Sequence, residues 1–123
     1  MVWKMPDRYL RGDVYTVVLD PTEGHEQAGT RPCLIISSNR MNVLPIEMCV
    51  VLPITSRVRA DIPLRITMVP PEGGLQVPSQ ILCEQVRSVS HGCIRQRWGA
   101  VHPSTMSEVQ RVLRLILALE AGQ

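Results

Sequence analysis

A chain of 123 residues is long enough for one hydrophobic core and too short to argue for two, so a single domain spanning 1–123 is expected. With 45% apolar and 20% charged residues, the composition excludes a disordered tail and a fibrous protein. A net charge of +2 permits a nucleic-acid partner without arguing for one.

Twelve of the thirteen basic residues are Arg and only Lys4 is Lys, a skew that favours the planar donor fork suited to phosphate. A general bias towards arginine gives the same skew, so it is a hint only. Cys33, Cys49, Cys83 and Cys93 show no C-x-x-C spacing. The first three sit in apolar runs, where a free thiol behaves as a small hydrophobe. Cys93 follows His91 across one glycine, but a metal there would lack two further ligands, and no metal or other cofactor is expected. Residues Met1 to Arg11 have no apolar stretch of the signal-peptide kind, and nothing approaches the ~18 apolar residues of a membrane span. With its thiols reduced, the chain reads as cytoplasmic, with no membrane partner.

In chain order, Val14–Leu19 predicts a first strand, stopped by Asp20-Pro21. Glu23 to Pro32 follows as an exposed loop, longer than most hairpin connections. Cys33–Ser38 and Met48–Ile54 predict strands apolar enough to be buried on both faces. Leu64–Met68 alternates, with Leu64, Ile66 and Met68 on one face. Ile81–Val89 and Trp98–Val101 complete the strand-like runs. From Met106 the period changes: Val109, Val112, Leu113, Ile116 and Leu117 form one helical stripe. Thr105 with Glu108 fits a capping box at its start, and Gly122 a C-cap at its end. Five to seven short strands with one C-terminal helix over an open end predict a mainly β, SH3-like barrel.

The loop before Cys33 carries the densest chemistry. Two glycines give it freedom, and His25, Glu26, Gln27 and Arg31 offer mixed donors and acceptors. Composition alone leaves it a solvated hairpin.

The order of short motifs says more. Arg11-Gly12-Asp13, Leu19-Asp20-Pro21 and Gly24-x-Glu26-Gln27-x-Gly29-x-Arg31-Pro32 come first. Asn39 and Asn42, Pro53-Ile54-Thr55-Ser56, Ile62-Pro63-Leu64, Gly74-Leu75 and Glu84-Gln85-Val86-Arg87-Ser88 follow. This succession resembles the MazF/PemK toxins of type II toxin–antitoxin systems over about residues 11 to 120. The resemblance implies a CcdB-like barrel and a metal-independent endoribonuclease that cuts single-stranded RNA, messenger or transfer. It assigns catalysis to Arg31 and Thr55, with Glu26 as a reasonable base. RNA contacts are expected from His25, Gln27, Ser56, Arg57, Arg59, Gln85 and Arg87. It also implies a homodimer and a cognate antitoxin whose disordered C-terminal tail fills the RNA groove. A gyrase poison of the same fold and a catalytically silent member are the alternatives.

The chemistry matches those residue types. Attack by a ribose 2′-OH builds negative charge on the phosphate oxygens, which calls for a fixed cation and neighbouring donors. Arg31 stays charged and grips two oxygens at once, while Thr55 offers a hydroxyl. The proton carrier stays open between Glu26, His25 and Arg31. With only Trp3, Tyr9, Tyr15 and Trp98 as aromatics, RNA recognition is expected to lean on arginine planes and loop amides, not on aromatic stacking. Arg95 and Arg97 read as surface charge.

Overall fold

The computed structural model describes residues 9–20, 24 and 27–119. Seven antiparallel strands form one bent sheet: β1 (Asp13–Leu19), β2 (Gly29–Ile35), β3 (Met48–Thr55), β4 (Arg65–Met68), β5 (Ser79–Leu82), β6 (Arg87–Ser90) and β7 (Ile94–Ala100). Helix α1 (Asn39–Asn42) is a single turn, and α2 (Pro103–Leu117) closes the described chain. Along the sheet the order is β4-β5-β3-β2-β1-β7, with β6 pairing separately to β3.

The apolar runs of β1, β2 and β3 follow from burial on both faces. Val14, Leu34, Leu52 and Ile54 point into one core, shared with Ile81 and with Val109 and Val112 of α2. Their neighbours Tyr15, Val17, Cys33, Ile35, Cys49 and Val51 point into a second core with Val89 and Ile94. Alternate side chains of one strand thus feed an apolar cluster on each face of the sheet, where the length of the chain argued for one core, and this removes the polar alternation of a half-exposed strand.

β3 bends between two partners, pairing β6 over Met48–Val51 and β5 over Ile54–Thr55. The run Ile81–Val89, expected as one strand, is accordingly broken by a 3₁₀ turn at Cys83–Gln85. The barrel's last seam is made by packing. A Cβ on Gly74, in the turn between β4 and β5, would lie 2.2 Å from the Trp98 carbonyl oxygen of β7. A Cβ on Gly99 would lie 2.9 Å from the Gly74 nitrogen, so this seam admits only glycine on both sides.

The start of α2 differs from the capping box read in the sequence. Pro103 occupies the first turn behind His102, and the Glu72 carboxylate accepts from the His102 amide (2.9 Å) and the Thr105 hydroxyl. A carboxylate from a distant turn thereby serves both as cap and as dipole partner, an arrangement worth about 1 kcal/mol. Glu108 pairs with Arg111 on the surface instead. The helix ends at Leu117 because Ala118 turns left-handed (φ 54°), ahead of Gly122, which lies outside the described residues. Leu117 is consequently half exposed, while Met106, Leu113 and Ile116 pack on the core as the stripe predicts. No helix among the described residues is long and apolar enough to cross a membrane.

Candidate functional site

β2 begins earlier than its apolar run, at Gly29, so Arg31 sits on a strand rather than in the loop. Its partner in β1 is Val17, and the β2–β3 ladder starts only at Cys33↔Pro53, just beyond Pro32. Proline donates no amide hydrogen bond and is tolerated where a ladder ends. Continuing that register by two residues sets Arg31 across from Thr55, the last residue of β3. β2 and β3, fixed by the cores beneath them, thus carry Arg31 near the start of one strand and Thr55 at the end of the other.

Arg31 is exposed, and its Nε donates to the Ala28 carbonyl at 3.1 Å. That bond orients the guanidinium and leaves its two terminal nitrogens without a carboxylate partner among the described residues. Thr55 is buried, and its Oγ1 accepts from the Arg57 amide at 3.1 Å. An oxygen already used as acceptor still has its own hydrogen to donate.

The loop after Thr55 is clasped from β5. Gln80, only 4% exposed, accepts from the Arg59 amide (2.9 Å) and donates to the Arg59 carbonyl (3.0 Å). No sequence motif singles out Gln80. Its only signal is a long polar side chain between Ser79 and the apolar Ile81–Leu82, where a strand residue facing the interior must satisfy its amide. Ser56 and Arg57 are exposed beside Thr55. Arg59, expected to meet RNA, is bound to Asp61 at 2.7 Å on the surface. The pair's hydrogen bonds and charges hold the Asp61 carboxyl below its usual range and push Arg59 up.

The loop before Arg31 is held differently. Gln85 accepts from the Gln27 amide (2.8 Å), and Arg87 donates to the Gln27 carbonyl (3.4 Å). Two residues expected at the RNA thus grip the backbone of a third. His25 and Glu26 lie outside the described residues.

Beside Arg31 opens a groove of about 550 Å³, lined among others by Ser56, Gln76, Gln96, Arg97 and Trp98. Arg97, expected as surface charge, lies in this groove, tethered by the buried Asp13 at 3.2 Å. That carboxylate raises the pKa of Arg97 through a hydrogen bond and its charge. Among the described residues no three His, Cys, Asp or Glu side chains gather to hold a metal. The groove's own charge comes from Arg31 and Arg97.

The matched motifs also have structural tasks. Gly12, at φ 97°, ties the β2 end (Ile35) to the approach to α2 (Val101), with its amide on the Ile35 carbonyl and its carbonyl on the Val101 amide. Asn42 is buried and donates to the carbonyls of Tyr9 (2.6 Å) and Ser37 (3.2 Å). Both are framework residues.

Comparison with known proteins agrees with this architecture. The chain is 28% identical over 113 residues to the endoribonuclease MazF9 of Mycobacterium tuberculosis (strain ATCC 25618 / H37Rv), covering 89% of this chain and 96% of that one. A crystal structure of MazF from Deinococcus radiodurans superposes with a TM-score of 0.81 at 24% identity, over 93% of this chain and all (100%) of that one. An endoribonuclease from a mycobacterial species in complex with its cognate antitoxin superposes with a TM-score of 0.73 at 23% identity, over 95% and 100% of the two chains. The family model for the PemK-like, MazF-like toxin of type II toxin–antitoxin systems matches residues 10–117, nearly the whole chain, and the protein belongs to that family.

Proposed function

We propose that the protein is the toxin of a toxin–antitoxin pair and an endoribonuclease that cleaves single-stranded RNA by internal attack of a ribose 2′-OH. One feature supports this reading most: continued two residues past its last pair, the β2–β3 register sets Arg31, whose terminal nitrogens have no carboxylate partner among the described residues, across from Thr55 and its hydroxyl. Arg31 neutralises the two non-bridging oxygens of the scissile phosphate as their charge grows, and Thr55 donates to the same group. The products are a 2′,3′-cyclic phosphate and a 5′-OH end. Glu26, with a carboxylate able to take the 2′-OH proton, is the base of choice, and His25 and Gln27 contact the strand or the loop.

Ser56 and Arg57 extend the RNA contact along the loop that Gln80 clasps. Arg59, Gln85 and Arg87 contribute mainly by holding the two loops in shape. The functional unit is a homodimer in the cytoplasm, and a cognate antitoxin blocks the groove with an extended acidic tail that the two groove arginines attract. The solved relative bound to its own antitoxin supports that partner.

The test is incubation of the purified protein with a long RNA in EDTA, beside Arg31→Ala, with fragment ends mapped. Cutting at a recurring short sequence, lost in the variant, is the expected result. Intact RNA with folded, antitoxin-free protein contradicts it.

A further inference from the structure

Trp98 stands 38% exposed in the groove that also holds Arg31. An indole is a large apolar surface, and leaving it half in water beside two arginines makes poor sense as core packing. Its root is rigid. The Trp98 backbone is pressed on Gly74, where a Cβ would come within 2.2 Å of its carbonyl oxygen and 3.0 Å of its own Cβ. The groove's volume, about 550 Å³, falls in the range of small-ligand pockets and suits one nucleotide. The same groove is lined by Gln76 and Gln96, whose carboxamides carry the donors and acceptors that a base edge requires.

We propose that this groove is a nucleobase subsite: the base of the nucleotide flanking the cleaved phosphate stacks on Trp98 while Arg31 holds the phosphate. The ligand class is a single unpaired RNA base, and Arg97, steered by Asp13, meets the next phosphate along the strand. Trp98 is then a specificity-determining residue. The site answers how a chain so poor in aromatics captures single-stranded RNA: it places one of its four at the reaction centre. This proposal rests on the RNA-cleaving function above.

Two readouts separate the proposals. In a Trp3→Phe background, Trp98 is the sole tryptophan. Its fluorescence is followed while a short RNA carrying a 2′-deoxy nucleotide at the cleaved position is added. Stacking predicts strong quenching. Cleavage of a randomised RNA pool is then compared for wild type, Trp98→Phe and Trp98→Ala. The alanine variant is expected to bind roughly tenfold or more weakly and to lose base preference at one position beside the cut. The phenylalanine variant keeps both. Cleavage by wild type with no quenching, or an alanine variant with unchanged preference and affinity, overturns the subsite while the nuclease stands. Quenching without any cleavage overturns the nuclease and keeps the base site. If neither is seen, both fall. Loss of subunit association in Trp98→Ala, seen by light scattering, assigns the indole to an interface and also overturns the subsite.

Discussion

The two loops that flank the site are anchored by the same chemistry at different depths. After Thr55, the buried Gln80 makes a two-point clasp on one peptide, that of Arg59. Before Arg31, the half-buried Gln85 and Arg87 share the corresponding task at Gln27, where the bond from Arg87 is long at 3.4 Å. A carboxamide mimics a peptide, so it supplies donor and acceptor where no strand neighbour is available. The deeper clasp makes the loop after Thr55 the stiff wall of the site. The grip on Gln27 is made by half-buried groups and lies more open to water.

The largest effect that sharpens this contrast concerns the residue between the loops. Arg31→Ala is expected to lower kcat on the order of 100-fold or more, as loss of a transition-state donor does. Because Arg31 is exposed, its thermal midpoint should stay within a degree or two of wild type. Melting at a much lower temperature would recast Arg31 as a structural residue.

Gln80→Ala should cost about 1–3 kcal/mol, since it leaves the Arg59 amide and carbonyl without their partner. Hydrogen exchange at the Arg59 amide should accelerate with it. Gln85→Ala should cost less, about 1 kcal/mol, with faster exchange at the Gln27 amide and little change at Arg59. Equal losses at both positions would break the distinction between the buried and the half-buried grip.

Alkaline pH probes the framework beneath both loops. Burial pushes the Cys33 and Cys83 thiols up to about 12 from an ordinary 9.0. Arg87 opposes that rise at Cys33, and the nearby Glu84 adds to it at Cys83. The native state therefore keeps protons that the unfolded chain releases. This stabilisation is whole below pH 9 and is lost progressively as pH rises towards 12, with roughly 1 kcal/mol per thiol gone by pH 10. Chemical denaturation at pH 8 and pH 10 measures it. An alkylating reagent at pH 8 should spare Cys33, Cys49 and Cys83 and modify the less buried Cys93 first. The smallest effect is at Arg59→Ala. The pair with Asp61 is solvent-exposed, so the substitution should leave the thermal midpoint almost unchanged and shift cleavage by only a few-fold.

Apolar period and motif order disclosed much of this in advance. β1, β3, β4 and α2 were legible because each buries a regular set of apolar residues. The extent of β2 was not, since its first residues, Gly29 to Pro32, are mostly exposed and pair only through their backbone. The break between β5 and β6 was hidden because both halves are buried in different cores, and their apolar residues read as one run. Capping by Glu72 is a contact across 30 residues of chain, beyond any local pattern. At the candidate site, the motifs single out Arg31 and Thr55 but not the residues packed and bonded around them. Gln80, Asp13 and Trp98 act through tertiary placement, and no spacing rule brings Trp98 of β7 beside Arg31 of β2.

A double-mutant cycle on RNA cleavage tests the central claim most directly, using Arg31→Ala, Thr55→Val and the pair together. If both groups serve one phosphate, each single variant should lose most of the activity, and the double variant should be scarcely worse than Arg31→Ala. Losses that simply multiply would mean that the two strand ends act apart, and would contradict the single site built here from the β2–β3 register.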